Sequence, residues 1–204
     1  RQRLWKVRAK KVILATGSIE RMMIFDCNDR PGIMLSSAVR KYLNRYSVKC
    51  GNNVVIFANN DDAYETALSL HKKGVKIEAI IDIREDSQGD IVKKCLDKGL
   101  KILWKHTVVS TNGRKKINQV TVMKLSNNNN SVIQSSITIN CDLLCVSGGY
   151  TPAVHLFTQS GGKLLYNENK SYFYPGKNSL EQISIGSCTG IFNIKTVSYT
   201  HLTL

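Results

Sequence analysis

The sequence predicts an α/β fold, a parallel β-α-β-α-β sheet followed by an antiparallel meander. Three observations carry that expectation. Gly51–Asp86 passes from a β-branched and aromatic run (Val54–Phe57) to helical periodicity (Ala63, Ala67, Leu68, Leu70), stops at Gly74 and resumes an apolar strand ending at Asp82. Asp90–Trp104 repeats the helix, glycine stop and strand, with Gly99 as the stop. Beyond Thr107 the period changes to two, through Thr107–Ser110, Gln119–Leu125 and Val132–Asn140.

Taken from the start, Leu4–Val7 and Lys11–Leu14 are predicted strands, the second closing on Ala15-Thr16-Gly17. Ser18–Gly32 reads as a loop with a turn at Asp29–Gly32. Ser36–Tyr46 is a predicted amphipathic helix, with Val39, Tyr42, Leu43 and Tyr46 on its apolar face. Lys49–Asn53 is a polar connector, and a subdomain boundary is expected near residue 47. The central unit then runs Val54–Phe57 strand, Asp61–Lys73 helix, Val75–Ile83 strand, Asp90–Lys98 helix and Leu100–Trp104 strand. Right-handed crossovers make these strands parallel. In the meander, the asparagine run Asn127–Asn130 is a hairpin tip with no functional signal. Leu143–Val146 is a buried strand leading into Ser147-Gly148-Gly149-Tyr150-Thr151-Pro152. Gly161-Gly162 precedes a Lys163–Tyr166 strand, and Ile183–Ile185 runs into the small-residue turn Gly186-Ser187-Cys188-Thr189-Gly190. The closing Val197–Leu204 fits no element and is expected to be non-native. The chain opens within a strand-like pattern and without an initiator Met, so it is expected to be a fragment.

Composition narrows the function classes. The 204 residues are 42% hydrophobic and 22% charged, ordinary for a soluble globular protein. No apolar run approaches the about 18 residues of a membrane-spanning helix, and no signal peptide pattern is present. The net charge of +14 raises the question of nucleic acid. The basic residues are scattered along the chain, however (Lys10-Lys11, Lys72-Lys73, Lys93-Lys94, Arg114–Lys116), without aromatic interleaving or a nucleic-acid module. Docking to an acidic partner subunit is the better expectation. The six cysteines (27, 50, 95, 141, 145, 188) form neither C-x-x-C nor a zinc spacing, so no metal is expected. They read as reduced structural thiols of a cytoplasmic protein.

The βαβ at Val54–Asp82 has the layout of a dinucleotide fold, with an acid about 20 positions past the turn. Its glycines are replaced by Ala58, Asn60 and Ala63. Asp61 and Asp62 stand at the helix N-terminus, where phosphate would lie. Two like charges about 4 Å apart repel by roughly 4 kcal/mol at an effective dielectric of 20. Asn60 or Asp61 is better read as an N-cap, and Asp82 as a strand-end acid with no ribose to bind. The histidines show no catalytic partner in sequence; His155 alone stands beside a distinctive segment, and packing or hydrogen bonding is its expected role. Catalytic residues are unassigned.

The order of strand, Ala15-Thr16-Gly17, βαβαβ with meander, DLLCVSGGYTP and IGSCTG resembles the two-dinucleotide-binding-domain FAD/NAD(P)-binding oxidoreductases, a Rossmann-like architecture. There a second nucleotide domain is inserted into the first. KKVILATGSIER, NDRPGIML, KYLNRY, VVIFANNDDAY and VSGGYTPAVHLFTQSGGKL are similar, more narrowly, to the alpha subunits of heterotetrameric sarcosine oxidases. The resemblance runs from about Lys10 to Ile194. It implies residues 1–46 as the end of a first dinucleotide-binding subdomain and 47–146 as an inserted NAD(P)-binding-like subdomain. Residues 147–196 return to the first, and 197–204 are a non-native tail. It implies NAD or FAD in the first subdomain, at Ala15, Thr16, Gly17, Gly148, Gly149, Gly186 and Ser187. Ser187 replaces the acid usual after the glycine of that motif, which weighs against FAD and leaves NAD or an adenine nucleotide. It also implies a flavin on a partner subunit of a hetero-oligomeric oxidase. Sarcosine and tetrahydrofolate would bind outside this fragment. A stand-alone FAD/NAD(P)H-dependent flavoprotein reductase and a non-catalytic scaffold with a structural nucleotide are the alternatives.

Overall fold

The computed structural model describes residues 2–177 and 181–192. The expected tail Val197–Leu204 and His201 lie outside them. The first elements are β1 (Val12–Leu14), β2 (Ser18–Glu20), β3 (Ile33–Leu35) and α1 (Ser36–Tyr46). The βαβαβ follows as β4 (Asn53–Ala58), α2 (Asp62–Lys72), β5 (Lys76–Asp82), α3 (Asp90–Asp97) and β6 (Ile102–Trp104). The meander is β7 (His106–Asn112), β8 (Gln119–Leu125) and β9 (Val132–Asn140). Then come β10 (Leu143–Ser147), β11 (Tyr150–Pro152), α4 (His155–Gln159), β12 (Leu164–Asn167), β13 (Tyr172–Pro175) and β14 (Gln182–Ser184), with a 3-10 turn at Gly186–Thr189.

Contacts divide the chain into two compact units, Arg1–Ile19 with Tyr150–Leu204 and Glu20–Gly149. The reason is pairing: β3 joins β10, and α1 packs on α2, so both belong with the central sheet.

In the Glu20–Gly149 unit the sheet order is β3-β10-β4-β5-β6, all parallel. Period-two alternation sends Val54, Ile56 and Ala58 to one face, where they meet Val39, Leu43, Ala67, Leu70 and Val92 of the three helices. Val55, Phe57, Ala79, Ile81, Leu144 and Val146 face the other way, onto Val108, Val120 and Val122 of the meander. The parallel strands are therefore buried on both faces, as their continuous apolar runs require. Each wholly buried aliphatic side chain contributes roughly 1.5–3 kcal/mol. Gly74 and Gly99 end their helices in the left-handed conformation (φ +71° and +72°). Val75 N–H reaches Leu70 O and Leu100 N–H reaches Cys95 O, each at 3.1 Å, closing a Schellman turn. At α1 the cap comes from outside the helix. The buried Glu20 carboxylate accepts from Ser37 N–H at 2.9 Å, an anion against the positive end of the helix dipole.

In the Arg1–Ile19 and Tyr150–Leu204 unit, β1 pairs in parallel with β14, β12 with β13 as a hairpin, and β2 with β11. Tyr172 packs edge-on to Phe192 and donates its hydroxyl to Gly190 O.

Several expectations are corrected. Leu4–Val7 forms no strand, and Leu4, Trp5 and Val7 are exposed; no strand among the described residues pairs with them, and an unpaired strand leaves its amides unsatisfied. Tyr42 and Tyr46 are exposed rather than core, because α1 turns only Ser36, Val39 and Leu43 inward. Ser18–Gly32 is not wholly loop, since β2 forms there through β11, a partner far away in sequence.

Candidate functional site

In an open parallel sheet, ligands bind outside the carboxyl ends of the strands, where the order reverses. In the Glu20–Gly149 unit that point lies between β4 and β10, and the chain's own side chains fill it. Asn60 Nδ2 donates to Ser147 O at 3.2 Å, Ser147 Oγ at 3.0 Å and Asn59 Oδ1 at 2.9 Å. Its Oδ1 accepts from Asp62 N–H at 3.1 Å, so Asn60 caps α2 while bridging the crevice. Asp61, the alternative cap, makes no capping bond with its side chain. It holds Arg84 at 2.7 Å and Ser87 Oγ at 2.9 Å instead.

Arg84 spans the strand-end Asp82 and the helix-end Asp61. Asp82 is wholly buried and accepts from Arg84 N–H, Nε and NH2, the last at 2.7 Å, and from Tyr64 hydroxyl at 2.7 Å. Burial and the Asp82 carboxylate push the Tyr64 phenol well above its usual range. Burial alone would lower the Arg84 guanidinium, but its bonds to Asp82 and Asp61 outweigh that and raise it. Asp62 is held by Arg40 through both carboxylate oxygens, at 2.9 and 3.0 Å. The two helix-terminal acids are thus each paired with an arginine. Occupied donors and filled space exclude a diphosphate here, rather than the bare negative charge expected from sequence. The residues present do not fit a dinucleotide in this crevice.

Sequence reading missed Arg84, Tyr64 and Arg40. A usable signal was present for the first: an arginine two positions past a strand-end acid is its nearest available counter-ion.

The other expected site residues separate into two groups. Ala15, Thr16 and Gly17 follow β1, and Gly186 and Ser187 follow β14; the two strands are parallel neighbours, so these residues meet at one sheet edge. Ile185 N–H donates to Leu14 O at 2.9 Å, and Thr16 Oγ1 donates to Ala153 O at 2.6 Å. Gly17 and Gly186 both take the left-handed conformation (φ +77° and +76°), and a Cβ on Gly17 would touch only Ser187 Oγ, at 3.9 Å. Ala15 and Thr16 are exposed. Ser184 Oγ, at the end of β14, is buried without a hydrogen-bond partner among the described residues. An orphaned hydroxyl beside two left-handed glycines and open backbone is a fit for a polar ligand at this edge.

Gly148 and Gly149 lie in the Glu20–Gly149 unit. A Cβ on Gly148 would meet Arg21 O at 2.9 Å and Met22 O at 3.1 Å, so its bareness serves a close backbone crossing. Gly149 has φ +83°. His155 opens α4 with an exposed ring rather than a packed one, His106 Nδ1 lies 2.6 Å from Trp104 O, and His71 is exposed. No metal-holding cluster of His, Cys, Asp or Glu occurs among the described residues.

The family described as pyridine nucleotide-disulphide oxidoreductase matches residues 2–180. The chain belongs to that family. Among curated proteins this family member is 35% identical over 195 residues to sarcosine oxidase subunit alpha of Corynebacterium sp. strain P-1, covering 95% of this chain and 20% of that one. It is 36% identical over 172 residues to the same subunit of Rhizobium meliloti strain 1021, covering 84% and 16%. The chain therefore spans about a fifth of the length of these relatives. Among solved structures, T. acidophilum thioredoxin reductase superposes with a TM-score of 0.67 at 16% identity, over 91% of this chain and 59% of that one. L-proline dehydrogenase from P. horikoshii gives 0.62 at 22% identity, over 89% and 30%. The fold is thus that of the FAD/NAD(P)-binding oxidoreductases. No helix among the described residues is long and apolar enough to cross a membrane.

Proposed function

We propose that the chain is the nucleotide-binding core of a sarcosine-oxidase-type alpha subunit, part of an oxidoreductase complex that demethylates sarcosine to glycine. The observation that carries this reading is the 35% identity to a sarcosine oxidase subunit alpha across 95% of the chain. Ala15, Thr16, Gly17, Gly186 and Ser187 would hold NAD or FAD at the β1–β14 edge. Gly17 and Gly186 supply left-handed backbone, and the Ser187 hydroxyl stands where an acid would otherwise meet ribose or ribitol. A bound dinucleotide supplies two-electron redox capacity. Gly148 and Gly149 belong to the same proposal through the tight backbone they permit. The chain's own part is binding and positioning within a cytoplasmic assembly of several subunits, with sarcosine and tetrahydrofolate engaged elsewhere.

The closed crevice of the Glu20–Gly149 unit favours a second reading, a scaffold that keeps one nucleotide for structural reasons. The same closure and the lack of a C-x-x-C pair weigh against a stand-alone NAD(P)H-dependent reductase. The test uses the full-length protein with its partner subunits. Bound nucleotide is released with acid and quantified, and sarcosine-dependent oxygen uptake and NAD reduction are followed. Uptake together with about one dinucleotide held by this chain supports the proposal. A dinucleotide that never turns over selects the scaffold, and absence of both nucleotide and uptake overturns the reading.

A further inference from the structure

We infer that the end of the Glu20–Gly149 unit opposite its closed crevice is a docking surface for an acidic protein partner. The parallel sheet gives this unit two chemically distinct ends. All of its five strands finish at one end, where α2 and α3 begin. That end carries Asp61, Asp62, Asp82, Glu85, Asp86 and Asp90, with Arg40, Arg84 and Lys105 bound to members of the set. The strands start, and the helices finish, at the other end. There stand Lys49, Lys72, Lys73, Lys76, Lys98 and Lys101, all exposed. Basic residues far apart in sequence are therefore gathered by topology onto one rim.

Acids share that rim, and two of them are already committed. Glu78 pairs with Lys76 at 2.8 Å, and Asp142 accepts the backbone N–H groups of Asn52 and Asn53 at 2.8–3.1 Å. Asp29 and Asp97 remain exposed. Of the six lysines, only Lys76 is in an ion pair among the described residues. Placement at helix C-termini, which favours cations through the helix dipole, accounts for Lys72, Lys73 and Lys98. It does not account for Lys49, Lys76 or Lys101, which lie on loops and a strand. The rim also holds an open cleft of about 360 Å³, lined by Lys76, Lys116, Asn53, Asn118 and Asn140 together with the committed acids Glu78 and Asp142. Amide and ammonium donors there suit carboxylate side chains.

The partner class follows from what stands beside the lysines. At the end of α1, Tyr42 and Tyr46 are exposed, their ring centroids 6.0 Å apart, with Val48 next in line. The Arg45 guanidinium lies 5.6 Å from the Tyr46 ring centre. Aromatic rings, an arginine and an aliphatic side chain ringed by charge are the composition of a protein interface. Base stacking needs open ring faces, and here Arg45 lies over one of them. This inference rests on the subunit reading only in expecting a protein partner.

The test is carbodiimide coupling of the native, nuclease-treated complex, which joins ammonium groups to carboxylates in direct contact, followed by mass-spectrometric mapping. Lys72, Lys73, Lys76, Lys98, Lys101 or Lys116 should link to Asp or Glu of another chain. The exposed Lys124, opposite His106 just past the end of β6 and so at the other end of the sheet, should not. In reassembly at 50 mM salt, K72E/K73E/K98E/K101E should weaken association at least tenfold and lose most of its salt dependence. Circular dichroism of that variant confirms that it is folded. A complex that assembles with these lysines unlinked and the variant unimpaired overturns the docking surface and leaves the subunit reading standing. Absence of any partner chain overturns both. Photo-crosslinking of the rim to RNA rather than protein also overturns the inference.

Discussion

Replacing Arg84 with methionine keeps much of the side-chain volume and removes the cation that holds Asp82 and Asp61 together. In the native protein Asp82 is fully buried, whereas the Arg84 side chain is 28% exposed. After the change Asp82 keeps only the Tyr64 hydroxyl and the backbone N–H of residue 84. Removing one member of a buried pair costs roughly 3–5 kcal/mol, because the other charge is left uncompensated. The partial exposure of Arg84 admits water, so the lower end, about 3 kcal/mol, is expected. At about 2–4 °C per kcal/mol for a chain of this size, Tm should fall by about 6–12 °C. Urea and thermal denaturation measure both values. The decisive companion is the double variant D82N/R84M. Asparagine still accepts from Tyr64 but carries no charge, so the double variant should be more stable than R84M alone. A loss below about 1 kcal/mol for R84M, or no recovery in the double variant, would refute the view that this clasp fills the crevice as a charge-compensated unit.

Other outcomes follow from the same structure. A58G/N60G restores the glycines of a dinucleotide turn but leaves Arg84, Asp61 and Asp82 locked; bound dinucleotide per chain should be unchanged, and a gain of a second equivalent would contradict the closure. Tyr64 has a raised pKa in the folded state, so the unfolded chain releases that proton first as pH rises. Its contribution is whole below about pH 10 and is lost above it. Y64F should flatten the alkaline fall in stability, read from denaturation midpoints between pH 9 and 11. Gly148→Ala forces a methyl to within 2.9 Å of Arg21 O and should cost about 1–3 kcal/mol. Gly74→Ala meets open space and should cost about 1–2 kcal/mol, through its positive φ alone. Burial pushes the Cys95 and Cys141 thiols up to about 11 and about 12, the nearby Glu65 adding to the first and Asp142 to the second. Titration of the native protein at pH 8 should therefore modify only Cys27 and Cys50, and rapid reaction of a third thiol would count against the buried core.

What the sequence alone determined is local. Ser36–Tyr46, the two Schellman glycines, the strand pattern of the meander and the apolar run of β10 follow from periodicity, caps and turn residues acting over a few positions. The replacement of the motif glycines by Ala58 and Asn60 was also visible there, and with it the unsuitability of the turn. The tertiary structure decided everything that depends on partners distant in the chain. β2 and β3 exist because β11 and β10 supply their ladders, while Leu4–Val7, with the right composition, finds no such partner. Asp61 and Asp62 read as bare charges in sequence and prove to be paired, because folding brings Arg84 and Arg40 to them. Lysines that look scattered share one rim because parallel strands begin, and their helices end, on the same side of a sheet. Spacing along a chain fixes which face a side chain takes; only the closure of the sheet fixes what that face meets.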